Sequence, residues 1–138
     1  METQDIKRIM IIDDDEEDRE FFCYALNINY PAITVIEAID GEHGMKVLEE
    51  TSELPSCILL DLNMPRINGI EFLKLIKGMD DLKDIPIVIY TTSKLKYDQD
   101  RTLKLGAVDF VSKPDNLNDM QKAILHVVSR GWETVHVA

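Results

Sequence analysis

Apolar residues come in short blocks along the chain. Residues 9–12, 34–36, 58–60, 86–90 and 108–111 are mostly Ile, Leu, Val and aromatic, and each block ends at polar residues. Apolar runs of this length, bounded by polar residues, predict strands buried on both faces of a sheet. Between them the apolar positions change to helical spacing: Phe21, Phe22, Ala25 and Leu26; Gly44, Met45, Val47 and Leu48; Phe72, Leu73, Ile76 and Met79; Leu117, Met120, Ile124, Val127 and Val128. A more charged helix is predicted over 97–105. Asn29-Tyr30-Pro31 stops the first helix, and Gly106 and Gly131 stop the last two. Pro86 is tolerated because it opens its strand. Five strands alternating with five helices predict an α/β chain, a doubly wound five-stranded parallel sheet with right-handed crossovers and helices on both faces. No repeat or linker divides it. The expected organisation is one domain over 1–138 with its core at about 7–130 and a tail at 131–138.

Composition narrows the classes. The chain has 138 residues, 45% of them hydrophobic, enough for an ordinary core. No run approaches the ~20 apolar residues that span a bilayer, and residues 1–7 are polar and unlike a signal peptide. A cytoplasmic location with no membrane partner is the expectation. The formal charge of −11 argues against nucleic acid and suits a divalent cation or a basic protein surface. Cys23 and Cys57 lack the spacing of a zinc or redox site and read as small buried hydrophobes. His43, His126 and His136 are scattered and belong to no motif.

The chemistry sits where strands end. In a doubly wound sheet all carboxyl ends share one edge, where ligands bind. Asp13 and Asp14 follow the first strand, Asp61 the third, Thr91 the fourth and Lys113 the fifth. Taken singly, each has an ordinary explanation. Asp61 caps a turn, the acids from Asp13 to Asp18 form a solvated helix start, Thr91 is a β-branched strand residue, and Lys113 pairs with a surface carboxylate. Together on one edge they describe something else. Crowded carboxylates repel and raise one another's pKa unless a cation joins them. Mg²⁺ takes one or two carboxylates and bridges to phosphate, a lysine suits a phosphate oxygen, and a carboxylate can accept a phosphoryl group covalently.

These residues resemble the receiver domain of two-component response regulators, over roughly 7–128. The resemblance implies the receiver variant of the flavodoxin-like fold, with Asp61 in Leu-Leu-Asp-Leu-Asn-Met-Pro as phosphoacceptor. It also implies a metal held by Asp13, Asp14, Asp61 and the backbone carbonyl of Asn63, a switch formed by Thr91 and Phe110, and a cis peptide bond before Pro114 in Lys113-Pro114. The implied cofactor is Mg²⁺, for which Mn²⁺ can substitute. Asp-Leu-Asn-Met-Pro-Arg-Ile-Asn-Gly, Tyr-Thr-Thr-Ser, Leu-Gly-Ala-Val-Asp-Phe-Val-Ser-Lys-Pro and Trp132 are similar to the small regulators paired with bacterial phytochrome kinases. The chain departs from the family pattern in a third acid, Asp15, and in Phe110, where a Tyr often stands.

The function implied is phosphorelay signalling: a histidine kinase's phosphohistidine passes its phosphoryl group to Asp61, and affinity for a downstream protein changes. On this reading the protein is no enzyme beyond self-catalysed transfer and autodephosphorylation. The alternatives are a phosphorylation-independent binding module and an aspartate-nucleophile phosphatase. The phosphatase needs a general acid two residues after its nucleophile, where Asn63 stands. A flavin carrier would need a Gly/Ser-rich first loop in place of Asp13 to Asp18, and a calcium loop is interrupted by Pro65 and Arg66. The alternating tail after Trp132 leaves a homodimer open.

Overall fold

A computed structural model describes residues 6–132. The elements run β1 (Arg8–Ile12), α1 (Glu16–Asn29), β2 (Thr34–Ala38), α2 (Gly41–Glu50), β3 (Cys57–Leu60), α3 (Gly69–Lys77), β4 (Ile87–Thr91), α4 (Lys96–Lys104), β5 (Asp109–Ser112) and α5 (Leu117–Arg130). The strands pair in parallel in the order β2-β1-β3-β4-β5. The expected alternation is therefore present. Differences are local. Val108 lies just before β5, although its N–H still bonds Ile87 O. Met79 falls in the turn after α3 yet packs on the core. The part of the expected tail beyond Trp132 lies outside the described residues.

The sheet has a core on each side because side chains alternate along a strand. Met10 and Ile12 of β1 join Ile58, Leu60, Phe72 and Ile76 on one face. Ile9 and Ile11 join Phe22, Leu26, Leu59 and Ile124 on the other. The central strands β1, β3 and β4 are buried on both faces, whereas the edge strands β2 and β5 are half-buried. This is why the central runs are uninterrupted by polar residues and the edge runs contain Glu37 and Asp109.

Most helices begin on a side-chain cap. Asp15 accepts from Glu17 and Asp18 N–H at the start of α1, Asp40 from His43 N–H at α2, and Asn116 from Asp119 N–H at α5. Asn68 and Glu71 form a reciprocal capping box at α3. Helix α4 starts at Leu95 with no side-chain cap.

The chain order reverses beside β1, whose neighbours are β2 and β3. The crevice beyond the carboxyl ends of β1 and β3 is the place where such sheets bind ligands. Asp13 and Asp61 stand there.

Candidate functional site

Asp13 and Asp61 are fixed as extensions of the sheet. Asp13 N–H bonds Ala38 O at 3.1 Å, and Asp61 N–H bonds Ile12 O at 3.1 Å. Both side chains are buried. One oxygen from each of Asp13, Asp14 and Asp61 lies within 4.8 Å of the others, with Asp14 on the solvent side. Asp15 is directed elsewhere, since its carboxylate caps α1. Among the described residues the acids that converge are Asp13, Asp14 and Asp61.

Lys113 enters from the end of β5. Its Nζ lies 2.7 Å from Asp13 Oδ2, 2.8 Å from Asp18 Oδ2 and 3.4 Å from Asp61 Oδ2. Its backbone N–H bonds Thr91 O at 2.8 Å, tying the ends of β4 and β5 together. The ammonium also lies 5.8 Å from the centre of the Tyr90 ring. Burial works against the lysine's charge, yet the hydrogen bonds to Asp13 and Asp18 and the nearby carboxylate charges outweigh it, and its pKa is raised. Burial pushes Asp13 the other way for a carboxylate, up to about 6, against the pull of Lys113 and the Asp15 N–H. One lysine thus does not neutralise the site.

The remaining expected residues are placed as follows. Asn63 is exposed in the loop after β3, and its N–H contacts Asp61 Oδ1 at 3.4 Å. Thr91 is fully buried, and its hydroxyl receives the Ser93 N–H in a long contact of 3.5 Å. Phe110 pairs in register with Ile89 and packs half-buried against the core on the α3 side. The cis bond expected before Pro114 is not found: among the described residues every peptide bond is trans. Trans is the lower-energy isomer by ~0.5–1 kcal/mol for X–Pro, and Lys113 reaches its three carboxylates with it. Burial pushes the Cys23 and Cys57 thiols up to about 11 and about 12, as inert small hydrophobes.

Three residues that sequence reasoning passed over complete the site. Asp18 is the third partner of Lys113. Arg19 is buried; its guanidinium donates to Asp13 O at 2.7 Å and to Glu37 Oε1 at 3.0 Å, so α1 grips the backbone of the acidic pair. A Cβ on Gly69 would stand 2.4 Å from Asp61 O and 2.6 Å from Leu62 Cα, so only glycine lets α3 start against the Asp61 backbone. The loop between them carries Arg66 in the left-handed region, φ 62°, with its guanidinium 3.5 Å from Asp40.

A carboxylate ending β3 thus stands beside two further acids and a buried lysine, and the chain that carries them has relatives. Residues 9–125 match the response regulator receiver domain. The chain belongs to that family. Response regulator Rcp1 of Synechocystis sp. is 33% identical over 139 residues, covering 97% of this chain and 95% of that protein. The phosphate regulon transcriptional regulatory protein PhoB of Escherichia coli is 32% identical over 124 residues, 90% of this chain but 52% of that protein; the chain spans about half the length of such curated relatives. Among solved structures, the phosphorylated cyanobacterial phytochrome response regulator RcpA superposes with a TM-score of 0.83 at 27% identity, covering 95% of this chain and 97% of that one. The Mn²⁺-bound form of Rcp1 superposes at 0.80 with 32% identity, covering 96% and 99%.

The receiver's acidic edge also suits a divalent cation by its own chemistry. Asp13 Oδ2 is buried beside the Lys113 ammonium at 2.7 Å, a single cation that Asp18 and Asp61 share. All donors converging there are hard carboxylate oxygens, the set that Mg²⁺ and Mn²⁺ prefer. No described helix is long and apolar enough to cross a membrane.

Proposed function

We propose that this receiver accepts a phosphoryl group on Asp61 from a phosphohistidine of a partner histidine kinase. The observation that carries the reading is the burial of Asp61 at the sheet edge, 3.4 Å from the Lys113 ammonium and grouped with Asp13 and Asp14. An Asp61 oxygen attacks phosphorus in line, the P–N bond to the donor histidine breaks, and the departing imidazole nitrogen keeps the bond pair and takes up a proton. Asp13, Asp14, Asp61 and the Asn63 carbonyl would hold Mg²⁺, which when bound offsets the negative charge gathered at the phosphoryl oxygens. Lys113 supplies a second positive charge. The Thr91 hydroxyl, released from the Ser93 N–H, donates to a phosphoryl oxygen, and Phe110 packs differently as β4 and β5 adjust. These contacts exist only when the phosphoryl group is present, and only such differential contacts shift an equilibrium. The output is a changed affinity for a downstream protein.

Incubation with acetyl phosphate and Mg²⁺ tests this. The wild type and Asp15→Ala are expected to gain one phosphoryl mass, and Asp61→Ala none. An unmodified wild type ends the reading and favours a binding module independent of phosphorylation. The likeness to Rcp1 and to the phytochrome response regulator RcpA supports a phytochrome-linked kinase as donor. Phosphotransfer from such a kinase, compared with an unrelated histidine kinase, checks that choice.

A further inference from the structure

Lys113 has more carboxylate partners than the phosphoacceptor reading requires. Asp13 and Asp61 are buried members of the acidic edge, but Asp18 comes from the first turn of α1, and its side chain is 36% exposed. Its availability has a local cause. An acid at this third helical position usually turns back to the N–H of the capping residue. Here the Asp15 N–H is already bonded to Asp13 Oδ1 at 3.0 Å, so Asp18 turns instead toward β5. The ammonium then sits closer to Asp13 and Asp18 than to Asp61.

We infer that Asp18 is a positioning residue: it holds the Lys113 ammonium back from Asp61 in the resting protein, and so sets how readily that charge passes to an anion seated on Asp61. This rests on the reading of Asp61 as acceptor. An ammonium has three N–H donors, and all three carboxylates compete for them. When Asp61 carries a phosphoryl group, its oxygens compete as well. Asp18 is the partner that can leave at least cost, because it returns to water while Asp13 cannot. The grip it exerts is therefore subtracted from the affinity of the site for the phosphorylated state.

The test uses beryllofluoride with Mg²⁺ as the probe, its binding to the full chain followed by fluorine NMR and calorimetry. Asp18→Asn is expected to bind it about threefold to fivefold more tightly, the upper scale of losing one partly exposed ion pair. Glu17→Gln removes the same charge from the same turn at an exposed residue that forms no ion pair with Lys113, and it is expected to leave the affinity within about twofold. Asp18→Glu restores the pair and is expected to bind as the wild type does. Unchanged or weaker binding by Asp18→Asn overturns the inference. So does equal tightening by Glu17→Gln, which would reduce the effect to net charge. A wild type that neither binds beryllofluoride nor gains phosphoryl mass removes the acceptor reading itself, and this inference with it. A wild type that does both, with Asp18→Asn unchanged, removes the inference alone.

Discussion

Helices α3 and α4 flank the same half of the sheet and have nine residues each, yet they are held very differently. Both carry two basic residues in the last turn, where the helix dipole favours them, but α3 alone has a capping box, and Gly69, Phe72, Leu73 and Ile76 are buried on it. Helix α4 has no side-chain cap and buries only Thr102, whose hydroxyl bonds back to the carbonyls of Asp98 and Gln99. Leu95, Tyr97 and Leu103 are left exposed around it. The difference assigns roles. On the proposed function, a helix fixed by apolar burial would hold Asp61 in place, and a helix with few buried contacts would be the one to change position when a nearby phosphoryl group alters the ends of β4 and β5. Segments that move are drawn from the weakly held end of a fold.

The contrast breaks first on core truncation. Phe72→Ala is expected to cost about 3–5 kcal/mol, while Leu103→Ala in α4 is expected to cost less than about 1 kcal/mol. Urea unfolding of both variants measures this, and equal losses would put α4 in the rigid class. Next comes the contact of α3 with the acceptor loop. Gly69→Ala is expected to cost about 1–3 kcal/mol, because backbone rather than a flexible side chain must give way. It should also slow phosphoryl gain on Asp61 in the acetyl phosphate assay. No matching loss is expected from substitution of exposed residues of α4.

The fixed half of the edge also buries Asp13, which has a pH signature. The Asp13 pKa rises from the ordinary 3.8 to about 6 on folding. The folded state then binds the proton more tightly than the unfolded state does. Its contribution to stability is full below pH 3.8 and is lost as pH rises through about 6. Without divalent cation, Asp13→Asn should remove that fall and be more stable than the wild type at pH 7, as measured by urea midpoints across the range. The smallest effects concern the caps. Asn68→Ala should cost α3 about 1 kcal/mol, and Leu95→Asp should stabilise α4 by a few tenths to about 1 kcal/mol. Amide exchange along each helix sharpens the contrast residue by residue.

The fold was legible because the three central strands are continuous apolar runs, and Asp13, Asp61 and Lys113 follow strands directly. Strand ends in a parallel sheet meet whatever their separation in sequence, so Lys113 could be brought to Asp13 without any local signal. What was not legible depended on direction rather than position. Arg19 sits in a run of charges and reads as solvated, yet its guanidinium is buried because Asp13 O and Glu37 both accept from it. Asp18 was one acid among six, and its turn toward Lys113 follows from Asp13 already occupying the Asp15 N–H; the sequence clue was its third position after a capping Asp. Gly69 follows an asparagine, a pair that marks a turn in any sequence, and its close approach to Asp61 O is a tertiary fact. The isomer before Pro114 is not encoded by residue type alone.

The loop from Leu62 to Asn68 is pinned at both ends. Gly69 N–H bonds Leu62 O at 3.0 Å, and the Gly69 Cα leaves no room beside Asp61 O. A closed loop of this kind has a length that cannot drift: one residue added or removed would have to displace either Asp61 or the first turn of α3. Homologous chains should therefore keep the residue count of 62–68 wherever the acid that ends β3 and the glycine that opens α3 are both present.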